Sequence, residues 1–168
     1  MTRFLFPLAG FMALIGLTAA AGEKVTDTEA TDAEAAETEA LVFLHALDNK
    51  PFEFTYRPDQ EITEAVEHMH TTGKNLYAGD EAAIKEGKKL YMKYCKACHL
   101  KDGKGRIGPN LRDDEWKRER TGTEKGRFEI IYAGGAGAMQ ALGRRIDQDQ
   151  ILKIMAFTDT FQETEEQE

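Results

Sequence analysis

Apolar residues recur at helical spacing in four stretches of the chain, separated by long polar and glycine-rich intervals. Residues 60–72 put Ile62, Val66 and Met69 on one stripe, with Asp59 as the expected cap and Gly73 as the stop. Residues 80–94 carry Ile84, Gly87, Tyr91 and Tyr94 at spacings of three and four, with lysines on the other side. A glycine on that apolar face costs helix propensity, which makes sense if another helix must approach closely there. "EKGRFEIIYAGG" gives a shorter face of Phe128, Ile131 and Tyr132 that Gly134 can end. The last helix is the most fully signalled: Asp147 caps it, Gln150 completes a capping box and Ile146 staples onto Ile151. Ile151, Ile154, Met155 and Phe161 form its buried stripe. Ahead of these helices, Phe52, Phe54 and Tyr56 alternate between Pro51 and Pro58, the pattern of an extended arm or edge strand. The prediction is an all-α fold of about four helices with long loops and an N-terminal arm.

Composition divides the rest of the chain. Met1–Arg3 and the apolar run "FLFPLAGFMALIGL", closed by small residues, predict a signal peptide over residues 1–21, and hence export. Pro7, Gly10 and Gly16 interrupt that run and no basic stop-transfer segment follows, so the mature chain is expected to have no stable membrane insertion. Residues 22–40 hold seven carboxylates and no aromatic residue, and predict a disordered acidic linker. Residues 41–79 read as an arm and helix packed on a core at 80–162, and 163–168 as an acidic tail. The 30 acidic against 22 basic residues argue against nucleic acid as a partner and suit a basic one. So few helices joined by such long loops need something else at the centre.

Both cysteines and one of the four histidines lie in "YCKACHLKDGKGRIGPNL", residues 94–111. A structural zinc needs four ligands, and the chain offers neither a second cysteine pair nor a spaced histidine pair. A thioredoxin-like dithiol should follow a strand, whereas a helix pattern precedes Cys95. A plain disulfide leaves His99 unexplained. C-x-x-C-H fits covalent haem c: the thiols of Cys95 and Cys98 add to the vinyl groups, and one helical turn points His99 at the iron. A buried porphyrin would also supply apolar area that the small core lacks.

A low-spin electron carrier needs a sixth ligand. Of the methionines, only Met139 lies in a glycine-rich loop, "AGGAGAMQALG", able to lay a thioether across the far haem face. His45, His68 and His70 are the rivals, and no local pattern singles one out. The carbonyl of Pro109 is the expected acceptor for the Nδ1 hydrogen of His99. Trp116, the only tryptophan, is either a hydrogen-bond donor to a haem propionate or a core residue. The lysines around 96–104 read as a solvated collar or a docking rim.

C-x-x-C-H, the downstream "GKGRIGPNLRDDEW", the helix "RFEIIYAGG" and then "GAM" together resemble the cytochrome c-L family of class I c-type cytochromes. The resemblance runs from about Leu41 to Phe161 and implies the class I cytochrome c fold around one covalent haem. It implies His99 and Met139 as axial ligands, Met139 standing the family's forty residues after the histidine. It further implies a periplasmic electron carrier, not an enzyme. The electron donor would be a pyrroloquinoline quinone (PQQ)-dependent quinoprotein alcohol or methanol dehydrogenase, and the acceptor a downstream c-type cytochrome or terminal oxidase. A calcium ion near the propionates is a further family expectation.

The chain departs from the family pattern in three places. Leu100 stands where the family usually has glycine, "WKRER" replaces a Trp-Thr-Tyr-Pro type stretch, and "GAMQALG" lacks a second methionine. All three are expected near the haem edge. The chain also stops soon after its last helix, without the long tail of methanol-specific members, which favours a general alcohol dehydrogenase as donor. The alternative function is a haem sensor or small-ligand-binding cytochrome with a displaceable Met139. It would want a polar distal residue that the Ala-Gly loop does not supply.

Overall fold

The computed structural model describes residues 41–135 and 137–163, all within one compact unit, Thr38–Glu168. The expected signal peptide, acidic linker and last five tail residues lie outside the described residues. Glu163, expected to begin the tail, ends the last helix instead.

Among the described residues five α-helices appear where the sequence suggested about four: α1 (Glu64–Thr72), α2 (Glu81–Tyr94), α3 (Lys96–His99), α4 (Glu124–Ala133) and α5 (Gln148–Glu163). A 3-10 turn, Glu119–Gly122, precedes α4. The turn and α3 have four residues each, too short to show a period. Among the described residues no helix is long and apolar enough to cross a membrane.

α1 starts later than residue 60. Thr63, not Asp59, caps it, its hydroxyl accepting from the Val66 N–H. Ile62 therefore precedes the helix and is exposed, while Val66 and Met69 are fully buried and Gly73 ends the helix at φ 71°. Asp80 caps α2 and Thr123 caps α4, each accepting from a backbone N–H of the first turn. At the start of α5 the Asp147 N–H donates to Gln150 Oε1 at 3.1 Å, while the Asp147 carboxylate turns to Arg57 of the arm.

α2 and α5 cross at Gly87. A Cβ there would lie 1.9 Å from the carbonyl oxygen of Lys153, so the backbones touch where a side chain would stand. Flanked by α1, α2 and α4, α5 buries Leu152, Ala156 and Phe157 beyond the expected Ile151, Ile154 and Met155. Its buried face is wider than one stripe because the neighbours surround it.

The arm folds back through an isolated antiparallel bridge between Leu44 and Pro51, not a full strand. Phe52 stacks on Tyr132 at 5.3 Å and Phe54 meets the same ring edge-on, whereas Tyr56 is exposed and leaves their face. Glu129 of α4, 1% exposed, locks the arm down. It accepts from the Leu44 N–H at 2.8 Å, Lys125 at 2.6 Å and Arg120 at 2.5 Å. Arg120 also donates to the Leu44 carbonyl and to Asn49. The "WKRER" stretch, expected at the haem edge, thus supplies an arm anchor through Arg120.

Gly87→Ala should force the helices apart at a cost of about 2–3 kcal/mol, near the upper range for overpacking. Thermal unfolding should show a midpoint lowered by roughly 10 °C; an unchanged midpoint would contradict the crossing.

Candidate haem site

The end of α2 builds the site. Cys95 closes α2, its N–H donating to the Tyr91 carbonyl at 2.8 Å, and also begins α3. The Cys98 and His99 N–H groups both donate back to the Cys95 carbonyl, so one tight turn carries both thiols and the imidazole. Both cysteines are free and half-buried. Burial pushes the Cys95 thiol up to about 12, with Cys98 beside it adding to the rise. A thiol held neutral in this way is not the activated thiolate of a dithiol redox centre.

His99 is buried, and its Nδ1 lies 3.0 Å from the carbonyl oxygen of Pro109. A carbonyl can only accept, so Nδ1 carries the hydrogen and Nε2 keeps its lone pair. Burial also pushes the imidazole pKa below its ordinary value, favouring the neutral ring, despite the opposing Pro109 bond. The ring rests on Gly108, where a Cβ would come within 2.6–2.8 Å of three of its atoms. That cradle is held in place by backbone: Arg106 and Gly108 N–H groups donate to the Cys98 carbonyl, and Gly105 N–H donates to the His99 carbonyl.

Two features of this shell escaped the sequence reading. The Tyr91 hydroxyl donates to the Leu100 carbonyl at 2.7 Å. Its signal was a tyrosine on a buried stripe, where a polar tip needs a partner. Leu100 itself has φ 63°, ψ 169°, a conformation suited to glycine. Its appearance where the family usually has glycine was the clue to that backbone.

The structure thus brings Cys95, Cys98, His99 and Pro109 into one shell. Met139 is half-buried in a loop tied to the end of α4, its carbonyl accepting from the Gly135 N–H at 3.0 Å. Trp116 is half-buried against Gly122, with the Arg127 guanidinium 5.7 Å from its ring. Of the rival histidines, His45 is exposed beside Phe52. His68 lies on α1, while His70 stacks on Phe54 at 4.2 Å with Nε2 2.6 Å from Gln148 Oε1. Among the described residues no cluster of three or more His, Cys, Asp or Glu side chains could hold a metal ion. The Asp113 carboxylate instead accepts from Asn110 and from the Glu115 N–H.

The donor set fits covalent haem. Two free thiols stand one turn apart, and a buried imidazole beside them has its coordinating nitrogen unprotonated.

A family model described as cytochrome c oxidase, cbb3-type, subunit III, matches residues 82–157, from the first turn of α2 into α5. Cytochrome c-L of Methylorubrum extorquens is 32% identical over 95 residues, covering 56% of this chain and 48% of that protein. The chain therefore spans about half the length of this curated relative. The crystal structure of cytochrome cL from Methylophaga aminisulfidivorans MPT superposes with a TM-score of 0.69 at 38% identity, covering 71% of this chain and 80% of that one. The chain belongs to the cytochrome c-L family. Cytochrome cL from Hyphomicrobium denitrificans has the same TM-score at 28% identity, covering 72% of this chain and 73% of that one. The expected class I cytochrome c fold is the fold observed. As a c-L cytochrome the chain is a member of the c-type cytochromes.

Leu100→Gly in this cytochrome should relieve backbone strain of about 1–3 kcal/mol while losing part of the leucine's packing. A net gain of about 1 kcal/mol is expected in denaturant unfolding, and a loss would refute the strain. Burial holds the His70 pKa below 6.5, outweighing its Gln148 bond. Below pH 6.5 the unfolded chain takes up the proton first, so stability is full above that pH and falls as pH drops towards the folded pKa. Unfolding curves from pH 7 to 5 should show a decline that is shallower in His70→Gln; equal slopes would count against it.

Proposed function

We propose that this c-L cytochrome is a periplasmic monohaem electron carrier. It accepts single electrons from a PQQ-dependent alcohol or methanol dehydrogenase and passes them to a downstream c-type cytochrome or oxidase. The observation that carries the reading is the pairing of His99 Nδ1 with the Pro109 carbonyl beside two free cysteines. A similar protein supports the setting: the Methylophaga relative comes from a bacterium described as methylotrophic.

In this reading Cys95 and Cys98 would tether the haem and His99 Nε2 would hold its iron. Pro109 fixes the ring's tautomer and orientation, and Gly108 leaves room for it. The Met139 sulfur would hold the iron together with His99, as a soft donor that favours reduced iron. Its loop is tied to α4 by the Leu142 and Gly143 N–H groups, which donate to the Ile131 and Tyr132 carbonyls, and this would limit rearrangement between oxidation states. The Trp116 indole would donate to a propionate. When bound, haem supplies a one-electron iron couple. The proposal includes no calcium ion.

The test is a visible spectrum and intact mass of the exported protein. Wild type should carry the mass of one covalent haem and show the long-wavelength sulfur-to-iron band; Met139→Ala should lose the band, and Cys95→Ser with Cys98→Ser should lose the covalent haem. Carbon monoxide binding by the reduced wild type would favour a ligand-binding cytochrome instead, and a haem-free exported chain would end the proposal.

A further inference from the structure

Tyr132, the last residue but one of α4, is where the N-terminal arm meets the loop that carries Met139. Its side chain is buried, with Phe52 stacked on the ring at 5.3 Å and Phe54 edge-on to it at 5.1 Å. Its hydroxyl accepts from the Thr55 N–H at 2.7 Å, so ring and tip are both held by the arm. The same ring seats the loop. A Cβ on Gly143 would come within 2.5–2.9 Å of three ring atoms, so the loop backbone lies directly against the tyrosine where no side chain fits.

Backbone hydrogen bonds make the rest of the loop follow. The Gly143 N–H donates to the Tyr132 carbonyl and the Leu142 N–H to the Ile131 carbonyl, both at 3.0 Å. Met139 is drawn against the same helix end: its carbonyl accepts from the Gly135 N–H, and a Cβ on Gly135 would lie 3.2 Å from the Met139 Cβ. The loop does not fix itself, because Gly137 sits at φ 80° with nothing within 4 Å of where its Cβ would stand. The arm, by contrast, is pinned to α4 through Glu129, which accepts from the Leu44 N–H and from Arg120 and Lys125.

We propose that Tyr132 is a positioning residue for the Met139 thioether, passing the arm's grip through Gly143 to the loop that presents the sulfur. The inference rests on the reading of Met139 as an iron ligand. A loop already held in its ligating conformation loses little freedom when the sulfur engages, so the hold on iron depends on how well that loop is fixed. The arm, distant in sequence from the methionine, thereby acts on the cofactor without touching it. Plain core packing of Tyr132 is the competing account, and it predicts lower stability with no change at the iron.

The experiment titrates the full ferric holoprotein with imidazole, a neutral base that takes the sulfur's place, and follows loss of the long-wavelength sulfur-to-iron band. Imidazole reaches the iron in molecules whose sulfur is detached, so its apparent affinity rises with that population. Gly143→Ala should push the loop off the ring and raise the affinity roughly tenfold, within the range for overpacking. Tyr132→Phe removes only the bond to Thr55 and should raise it roughly threefold, as the loss of one hydrogen bond allows. Tyr56→Phe, on the exposed part of the arm, should leave it unchanged. In the Met139→Ala background Tyr132→Phe should have no further effect, because no sulfur is left to position. Thermal unfolding is measured alongside. Variants that melt earlier but bind imidazole like the wild type would overturn the proposal, as would an equal effect of Tyr132→Phe with and without Met139. Should Gly143→Ala fail to fold, Tyr132→Phe decides alone. A wild type without the band would sink the ligand reading and this proposal with it, whereas a band that no variant weakens would sink the proposal alone.

Discussion

The crossing of α2 and α5 at Gly87 is the constraint from which the rest follows. With the Lys153 carbonyl where a Cβ would stand, the two helices pack backbone to backbone, and no larger residue keeps that geometry. The crossing sets the direction of α2 and therefore the position of Cys95 at its end. It also leaves α5 deep enough to be covered by α1 and α4, so that one helix organises the core.

From that end the site is built almost wholly by backbone. One carbonyl, that of Cys95, receives the Cys98 and His99 N–H groups, and another, that of Cys98, receives Arg106 and Gly108. Such bonds involve no rotatable side chain, so the imidazole and its cradle hold their geometry. The hydrogen bond to Pro109 then selects the tautomer, and burial discourages protonation of the ring. A ligand that is oriented and neutral before coordination suits a redox centre in which small rearrangement matters.

The arm is held by a different device. Glu129 is a nearly inaccessible carboxylate with two cations and a backbone N–H around it. Removing one partner from such a cluster would leave a buried charge uncompensated, a loss of about 3–5 kcal/mol. Arg120 belongs to this cluster and lies in the stretch that departs from the family pattern, so a change expected at the haem edge works at the arm.

Four helices, the close approach at Gly87 and the attachment turn were legible in the sequence because each is a local signal: a period, a misplaced glycine, a spacing of cysteines. The start of α1 was misread because Thr63 and Asp59 are both able caps, and only the packing of Val66 and Met69 beneath the core chooses between them. Tyr56 was expected with Phe52 and Phe54, but alternation cannot say where a partner surface ends, and here it ends before Tyr56. The role of Glu129, the support from Tyr91 and the stacking of Phe52 on Tyr132 depend on residues far apart in the chain. The sequence by itself determined that two thiols and an imidazole stand on one turn, because their spacing is written in consecutive residues. Only the tertiary structure decided which charges stay paired and which are left facing outward, because pairing depends on distances that folding creates.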